Sequence, residues 1–313
     1  MAQPSIVTLT LNPTVDKSTS VDRISADAKL YCAKPSYDPG GGGINASRAI
    51  ARLGGKSKAY YLAGGLTGEI LRHFLDREKI DHHPLPMKGW TRENLTVLET
   101  RTGRQFRFVM PGPEIKSSEW RRLLNAAARF EPDFIIGSGS LPPGVPADFY
   151  VRLIKKFKRR KTKIIIDTSG DALSSALHEG GIYLIKPNVK EMNHLAGRPL
   201  TSEKAQIAAA RKIIHGKSCA IVVLSLGARG ALLVTAEDQW KFHNPPVRVK
   251  SQIGAGDSMV GAMALAFSRG LSLLDAVRFG IAAGAAAVMS AGTGLCRFEE
   301  TAKLFKRVRY NQA

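Results

Sequence analysis

The sequence predicts an α/β protein: a mainly parallel sheet covered by helices on both faces, with a small β-sheet beside it. Three observations carry this. Short, unbroken apolar runs recur along the 313 residues. Amphipathic helical patterns separate them, as βαβ units require. Two polar stretches interrupt the alternation and carry no helix between their strands.

Taken in order, "IVTLTLN" (6–12) is the first strand. The opening "MAQPSIVTLTLN" has no basic segment leading into an apolar one, so it reads as strand, not as a secretory signal. Further strands follow at "DFIIGSGS" (133–140), "KIIIDTSG" (163–170), "IYLIKPN" (182–188), "AIVVLSLG" (220–227) and "GALLVTAE" (230–237). Helical patterns lie at "INASRAIARLG" (44–54), "EILRHFLDREK" (69–79), "EWRRLLNAAARF" (119–130), "DFYVRLIKKFKRR" (148–160) and "EKAQIAAARKIIHG" (203–216). Right-handed crossovers are expected between parallel neighbours. Segments 16–39 and 91–112 alternate polar and apolar residues and read as a small sheet able to act as a lid. The expected division is 1–12, 37–89 and 112–313 for the main layer, and 13–36 and 90–111 for the lid.

Composition narrows the function classes. Apolar residues make up 44%, enough for a substantial core and against global disorder. No apolar run reaches membrane-spanning length. Cys32, Cys219 and Cys296 lie far apart with no CxxC spacing, against a disulfide framework or zinc site, and point to the cytoplasm. The formal charge of +20 is large. Its densest run, "RLIKKFKRRKTK" (152–163), puts Arg152, Lys155, Lys156, Arg159 and Arg160 on one helix face. Tyr150, Leu153, Ile154 and Phe157 take the other. That is a surface helix with a basic solvated side; the alternative is a polyanion-binding patch, and with it a non-catalytic sugar-phosphate or nucleic-acid binder, but no nucleic-acid signature accompanies it.

Four glycines, Gly40 to Gly43, stand in "DPGGGGIN". No Gly-Lys-Ser/Thr closes them, so they are not a Walker A loop. Asp38-Pro39 before them and Asn45 after them fit a dinucleotide fingerprint poorly. A turn into a helix remains, its N–H groups free for a polar ligand and Asn45 offering an amide; a purely structural tight turn fits as well. In "IGAGDSMVGAMALAF" (253–267), Gly254 and Gly256 free the backbone at a helix start, where amides face developing negative charge. Asp257 sits in that first turn. An anion cradle and a base within one turn suit phosphoryl transfer to a hydroxyl, although a simple N-terminal cap has the same spelling. "KPNVKEMNHL" (186–195) follows a strand, and Asn188 and Glu191 are spaced to project from one side of a helical turn, as water-mediated Mg²⁺ binding wants, although an ordinary strand-to-helix loop with a surface Glu fits as well. "SLGARG" (225–230) and "SGSLPPG" (138–144) are strand-end glycine turns.

Together these motifs resemble the PfkB branch of the ribokinase-like sugar kinases, and within it the 6-phosphofructokinase type. "YDPGGGGINASRAIARLGG", "WTRENL", "FRFVMPG", "SGSLPPG", "GDALSSAL", "GAGDSMVGAM" and "VRFGIAAG" carry the likeness, which spans nearly the whole chain. It implies a three-layer α/β/α ribokinase-like fold with a β-lid that clasps a homodimer. It implies ATP-dependent phosphorylation of the 1-hydroxyl of fructose 6-phosphate, with tagatose 6-phosphate and fructose 1-phosphate as alternative substrates. By the same resemblance Asp257 is the base and the amides of Gly254, Ala255 and Gly256 form the anion hole. Asp16, Gly41, Gly42 and Asn45 hold sugar hydroxyls, Arg92 the substrate's phosphate, Ser140 lies near the sugar, and Lys29 reaches a phosphate from the lid. Lys186, Asn188, Ser225, Gly227 and Gly230 line the ATP side, and Glu191 steers Mg²⁺. Tyr31, Gln252, Ser290 and Gly294 depart from the family pattern. The last two replace an Asn and an Arg beside a monovalent-cation loop, which leaves K⁺ open.

Overall fold

The computed structural model describes residues 6–129, 131–290 and 292–313. The expected readings for 1–5 and for Phe130 lie outside them.

In chain order the elements are β1 (Ile6–Thr10), β2 (Thr14–Val21), β3 (Ser36–Gly40), α1 (Gly42–Arg52), β4 (Lys58–Ala63), α2 (Gly65–Arg77), β5 (Asp81–Pro86), β6 (Arg92–Glu99) and β7 (Gln105–Phe108). Then come α3 (Ser117–Arg129), β8 (Phe134–Ser138), α4 (Phe149–Phe157), β9 (Lys163–Asp167), α5 (Gly170–Glu179), β10 (Ile182–Ile185), α6 (Val189–Ala196), α7 (Glu203–His215) and β11 (Cys219–Ser225). The chain closes with β12 (Ala231–Val234), β13 (Gln239–His243), α8 (Ala255–Ser268), α9 (Leu273–Val288), α10 (Phe298–Phe305) and β14 (Arg309–Gln312).

The large sheet runs β14-β13-β12-β11-β10-β9-β8-β1-β4-β5. From β11 to β5 every pairing is parallel. The other edge is an antiparallel meander, so "GALLVTAE" is the returning arm of a hairpin and not a parallel strand. Each central strand is buried on both faces because its side chains alternate. In β9, Ile164 and Ile166 join the cluster under α3–α7, while Ile165 faces the cluster formed with α1, α8, α9 and α10. The amphipathic reading of 148–160 holds for the apolar face: Tyr150, Leu153, Ile154 and Phe157 are all buried, although α4 stops at Phe157.

The helix-free segments form a second sheet, β3-β2-β6-β7. In it β3 runs through Gly40 and leads almost directly into α1.

Two features position the site. Strand order reverses at β1: later strands β4 and β5 lie to one side, β8 to β11 to the other. Such switch points open a crevice at the carboxyl ends of the strands. Second, α8 packs tightly on α1. A Cβ on Gly261 would sit 2.6 Å from the Ala46 carbonyl oxygen. Only a glycine lets the backbones meet this closely, and the contact lies one turn from Asp257 and one residue from Asn45.

Candidate active site

At the switch point lies a cavity of about 290 Å³. It is lined by seven of the residues expected from sequence: Asp16, Gly41, Gly42, Asn45, Arg92, Gly254 and Asp257. They arrive from β2, the β3–α1 turn, β6 and the start of α8, so distant parts of the chain converge.

The glycine run is explained by crowding. Gly41 has φ +113°, which L side chains rarely adopt, and a Cβ on Gly43 would lie 2.4 Å from the Leu9 carbonyl oxygen. The turn thus presses α1 against the end of β1 and leaves Asn45 facing α8. Asn45 donates its Nδ2 to Asp257 Oδ2 at 2.9 Å.

Asp257 lies in the first turn of α8, where backbone N–H groups have no intrahelical acceptor. Gly254 holds the left-handed conformation (φ +75°) that aims Ala255 and Gly256 into that turn. Burial, then the neighbouring Asp167, push the Asp257 carboxyl up to about 6, against the pull of Asn45 and Lys186. It is therefore mostly ionised at neutral pH yet close to its titration, as suits a general base.

Lys186 is buried and pairs with Asp167 at 3.4 Å. Burial alone would lower its pKa; Asp167, Glu191 and Asp257 outweigh this and raise it. Its Nζ would come within 3.3 Å of a Cβ at Gly256, so the cation stands over the backbone of the proposed anion hole. Asn188 caps α6 and Glu191 completes the capping box: Asn188 Oδ1 accepts from the Glu191 N–H at 3.0 Å, and Glu191 Oε2 accepts from the Asn188 N–H at 2.9 Å. Ser225 bridges to this turn through the Pro187 carbonyl. Gly227 opens a 3₁₀ turn, and Gly230 is demanded by packing, since a Cβ there would meet the Phe242 carbonyl oxygen at 1.9 Å.

Arg92 donates to the carbonyls of Met110 (2.9 Å) and Asn12 (3.1 Å), and its buried Nε has no partner. Asp16 accepts from Asn94 Nδ2 at 2.9 Å, and burial raises its carboxyl despite that bond and Arg92.

The cavity wall does not include Ala255, Gly256 or the residues expected on the nucleotide side (Lys186, Asn188, Glu191, Ser225, Gly227 and Gly230), and of those expected around the sugar phosphate it lacks Ser140 and Lys29. Ser140 is exposed and accepts from Asn12 Nδ2 at 3.2 Å, at the entrance side of β8. Lys29 is exposed in the loop between β2 and β3. Tyr31 in the same loop is 87% exposed.

The wall also holds residues the sequence reading passed over: Asn94, Arg107 and Thr293. Asn94 and Arg92 are two apart in "WTRENL", so the strand period already puts them on one face. Arg107 follows from the register of β7, where it stands opposite Thr96. Asp167 ends a parallel strand, the same signal that marks Lys186. Among the described residues, no cluster of three or more His, Cys, Asp or Glu is arranged to hold a metal.

The pfkB family carbohydrate kinase model matches residues 7–301. The chain is 42% identical to the ATP-dependent 6-phosphofructokinase isozyme 2 of Mycobacterium tuberculosis, over 97% of this chain and 90% of that one. Crystal structures of phosphofructokinase-2 from Escherichia coli in complex with potassium and with fructose-6-phosphate match with TM-scores of 0.93 and 0.92. Both are 43% identical and cover 97% of this chain and 99% of theirs. With this coverage, on a ribokinase-like α/β fold, the chain belongs to the pfkB family of carbohydrate kinases.

Proposed function

We propose that this protein transfers the terminal phosphoryl group of ATP to the 1-hydroxyl of fructose 6-phosphate, giving fructose 1,6-bisphosphate and ADP. The observation that carries the reading is the pairing of Asn45 with Asp257 in a cavity that also presents Arg92.

In this reading Arg92, on the cavity wall, holds the phosphate already on the sugar with its forked, permanently charged guanidinium. Asp16, Asn45 and the Gly41–Gly42 backbone orient the hydroxyls, with Ser140 near the sugar. Asp257 accepts the proton of the 1-hydroxyl as its oxygen bonds to the γ-phosphorus. The bond from that phosphorus to the β-phosphate oxygen breaks, and ADP leaves with the electron pair. The amides of Gly254, Ala255 and Gly256, with Lys186 above them, stabilise the charge on the transferring group. Asn188, Ser225, Gly227 and Gly230 line the nucleotide side.

Magnesium fits as an ion held mostly by phosphates and water. Asp167 and the free oxygen of Glu191 would hold it through water, where it would neutralise charge on the transferring phosphates. Potassium would sit near the loop at Ser290 and Gly294.

The protein acts as a homodimer joined through the small sheet, which exposes Tyr37, Phe106, Phe108, Val109 and Met110. Lys29 then serves a partner's cavity and not its own. Three free cysteines, two of them buried, agree with a cytoplasmic setting. Among the described residues, no helix is long and apolar enough to cross a membrane.

The test is ATP turnover against a panel of phosphosugars. Fructose 6-phosphate should be preferred; a clear preference for tagatose 6-phosphate or fructose 1-phosphate would overturn the substrate assignment. Asp257→Asn should lose about 10²–10⁴-fold in kcat, and near-normal turnover in that variant would remove the base.

A further inference from the structure

The Arg48 side chain, on the inner face of α1, is 0% exposed. A guanidinium carries five N–H donors, no acceptor and a permanent charge, so its burial is tolerable only when every donor is met. Here all five are. Nε and Nη2 fork onto Glu78 at 2.7 and 2.5 Å, and Nη2 also reaches Asp38 Oδ1 at 3.4 Å. Nη1 donates to the Pro39 carbonyl at 2.7 Å and to Asn45 Oδ1 at 3.4 Å. Burial would raise the Glu78 carboxyl, but Arg48 and Arg52 hold it below its ordinary value.

We infer that Arg48 is a positioning residue for the base: it fixes which end of the Asn45 amide faces Asp257. An amide has a donor end and an acceptor end. Arg48 can only donate, so it must meet Oδ1, and Nδ2 is left to face the carboxylate. The reversed amide would set donors against the guanidinium and a carbonyl against the carboxylate. Arg48 therefore selects the arrangement that stabilises ionised Asp257 and keeps its oxygen pinned. Asp38 and Pro39 belong to β3, and Thr293 Oγ1 donates to Asp38 Oδ2 at 2.7 Å, so one guanidinium ties the base to the lid strand. This deepens, and rests on, the assignment of Asp257 as base.

Other charges face these groups and set the background for the test. Asp257 feels Asp167 from β9, Lys186 just past β10 and Asp16 from β2, with Arg92 and Arg107 on the cavity wall from β6 and β7. Arg48 meets Glu78 after α2, Asp38 on β3 and Arg52 one turn on.

The experiment is the Asp257 titration, followed by carboxyl NMR and assigned by difference from Asp257→Asn, beside kcat–pH profiles. Arg48→Lys keeps the charge and can hold Glu78 but cannot reach Glu78 and Asn45 Oδ1 together. It should move the Asp257 pKa up by about one unit, the scale of one hydrogen bond to a charged group. Turnover should then fall about five-fold at pH 6 and largely recover at pH 8.5. In an Asn45→Ala background the same change should move neither quantity. An unmoved titration, or an equal shift without Asn45, overturns the inference. Should Arg48→Lys fail to fold, Glu78→Gln loosens the clamp from its outer side and should shift the titration in the same direction, and no shift there overturns it equally. The NMR titration needs no substrate, so a wild-type protein inactive on fructose 6-phosphate would refute the substrate assignment while still deciding the role of Arg48.

Discussion

Replacing Asp257, the proposed base, should make the protein more stable while it disables the chemistry. Folding moves the Asp257 carboxyl from 3.8 to about 6, mainly by burial. A raised carboxyl means that the fold favours the protonated form. Below pH 3.8 both folded and unfolded chains are protonated and the fold bears no penalty. Between pH 3.8 and about 6 the unfolded chain ionises while the fold still retains the proton, so stability is lost progressively across that window and the full penalty stands above about 6. A rise of roughly two units corresponds to about 3 kcal/mol, an upper figure because the group retains some access to the cavity. Asp257→Asn is neutral at every pH and can still accept from Asn45. Lys186 keeps Asp167 as its partner at 3.4 Å. The variant should therefore gain about 1–3 kcal/mol at pH 8, roughly half of that at pH 5, and show a Tm higher by a few degrees at pH 8. Urea unfolding of both proteins at the two pH values measures it. A variant no more stable than wild type at pH 8, or a gain that does not grow with pH, would refute the reasoning.

Three further outcomes follow from the same geometry. The kcat–pH profile of the wild type should rise through about pH 6 and level off above pH 7, because protonated Asp257 cannot take the sugar proton; a profile flat from pH 5 to 8 would remove Asp257 from the rate-limiting step. Arg92→Lys should raise KM for the phosphosugar about ten-fold or more, with a smaller effect on ATP, since an ammonium cannot reproduce the fork that also braces Met110 and Asn12; steady-state kinetics with each substrate varied separates the two. Gly261→Val should wedge α1 from α8, since even a Cβ lies 2.6 Å from the Ala46 carbonyl oxygen. It should cost about 1–3 kcal/mol by overpacking and lower kcat in the fraction that folds, read by thermal denaturation and turnover.

Burial made most of the sheet centre readable and exposure hid its edges, but the buried β4, "KAYYLA", is absent from the sequence reading although it lies between β1 and β5. β1 and β8 to β11 are unbroken apolar runs because helices cover both faces. β5, "DHHPLP", is an edge strand with two prolines and polar residues, and β13 and β14 alternate like surface hairpins, so none of them shows that signature. The site shows the same divide. Gly41 to Gly43 and Gly254 to Asp257 stood out because close backbone approach restricts those positions to glycine and the acid is next to them in sequence. Arg48 did not stand out: a lone arginine on an amphipathic helix reads as solvated, and only the tertiary fold brings Glu78 and Asp38 over it. Lys29 carried no local sign that it would be exposed and off the cavity wall.

Two asparagines give the cavity its order before any ligand arrives. Asn45 has a donor-only guanidinium on one side and the Asp257 carboxylate on the other. Asn94 has the Met110 backbone N–H on its oxygen, at 3.1 Å, and the Asp16 carboxylate on its nitrogen, at 2.9 Å. In both, an obligate donor behind the amide dictates that a donor faces the acid in front. The two carboxylates nearest the proposed sugar are thus oriented by neutral groups, which leave them poised and do not quench them as a directly paired cation would. Orientation is set by folding, so little reorganisation is left for the moment of transfer. The cost appears where it should, in the raised carboxyls of Asp16 and Asp257, and a site arranged in this way gives up stability for a base that is still free to react.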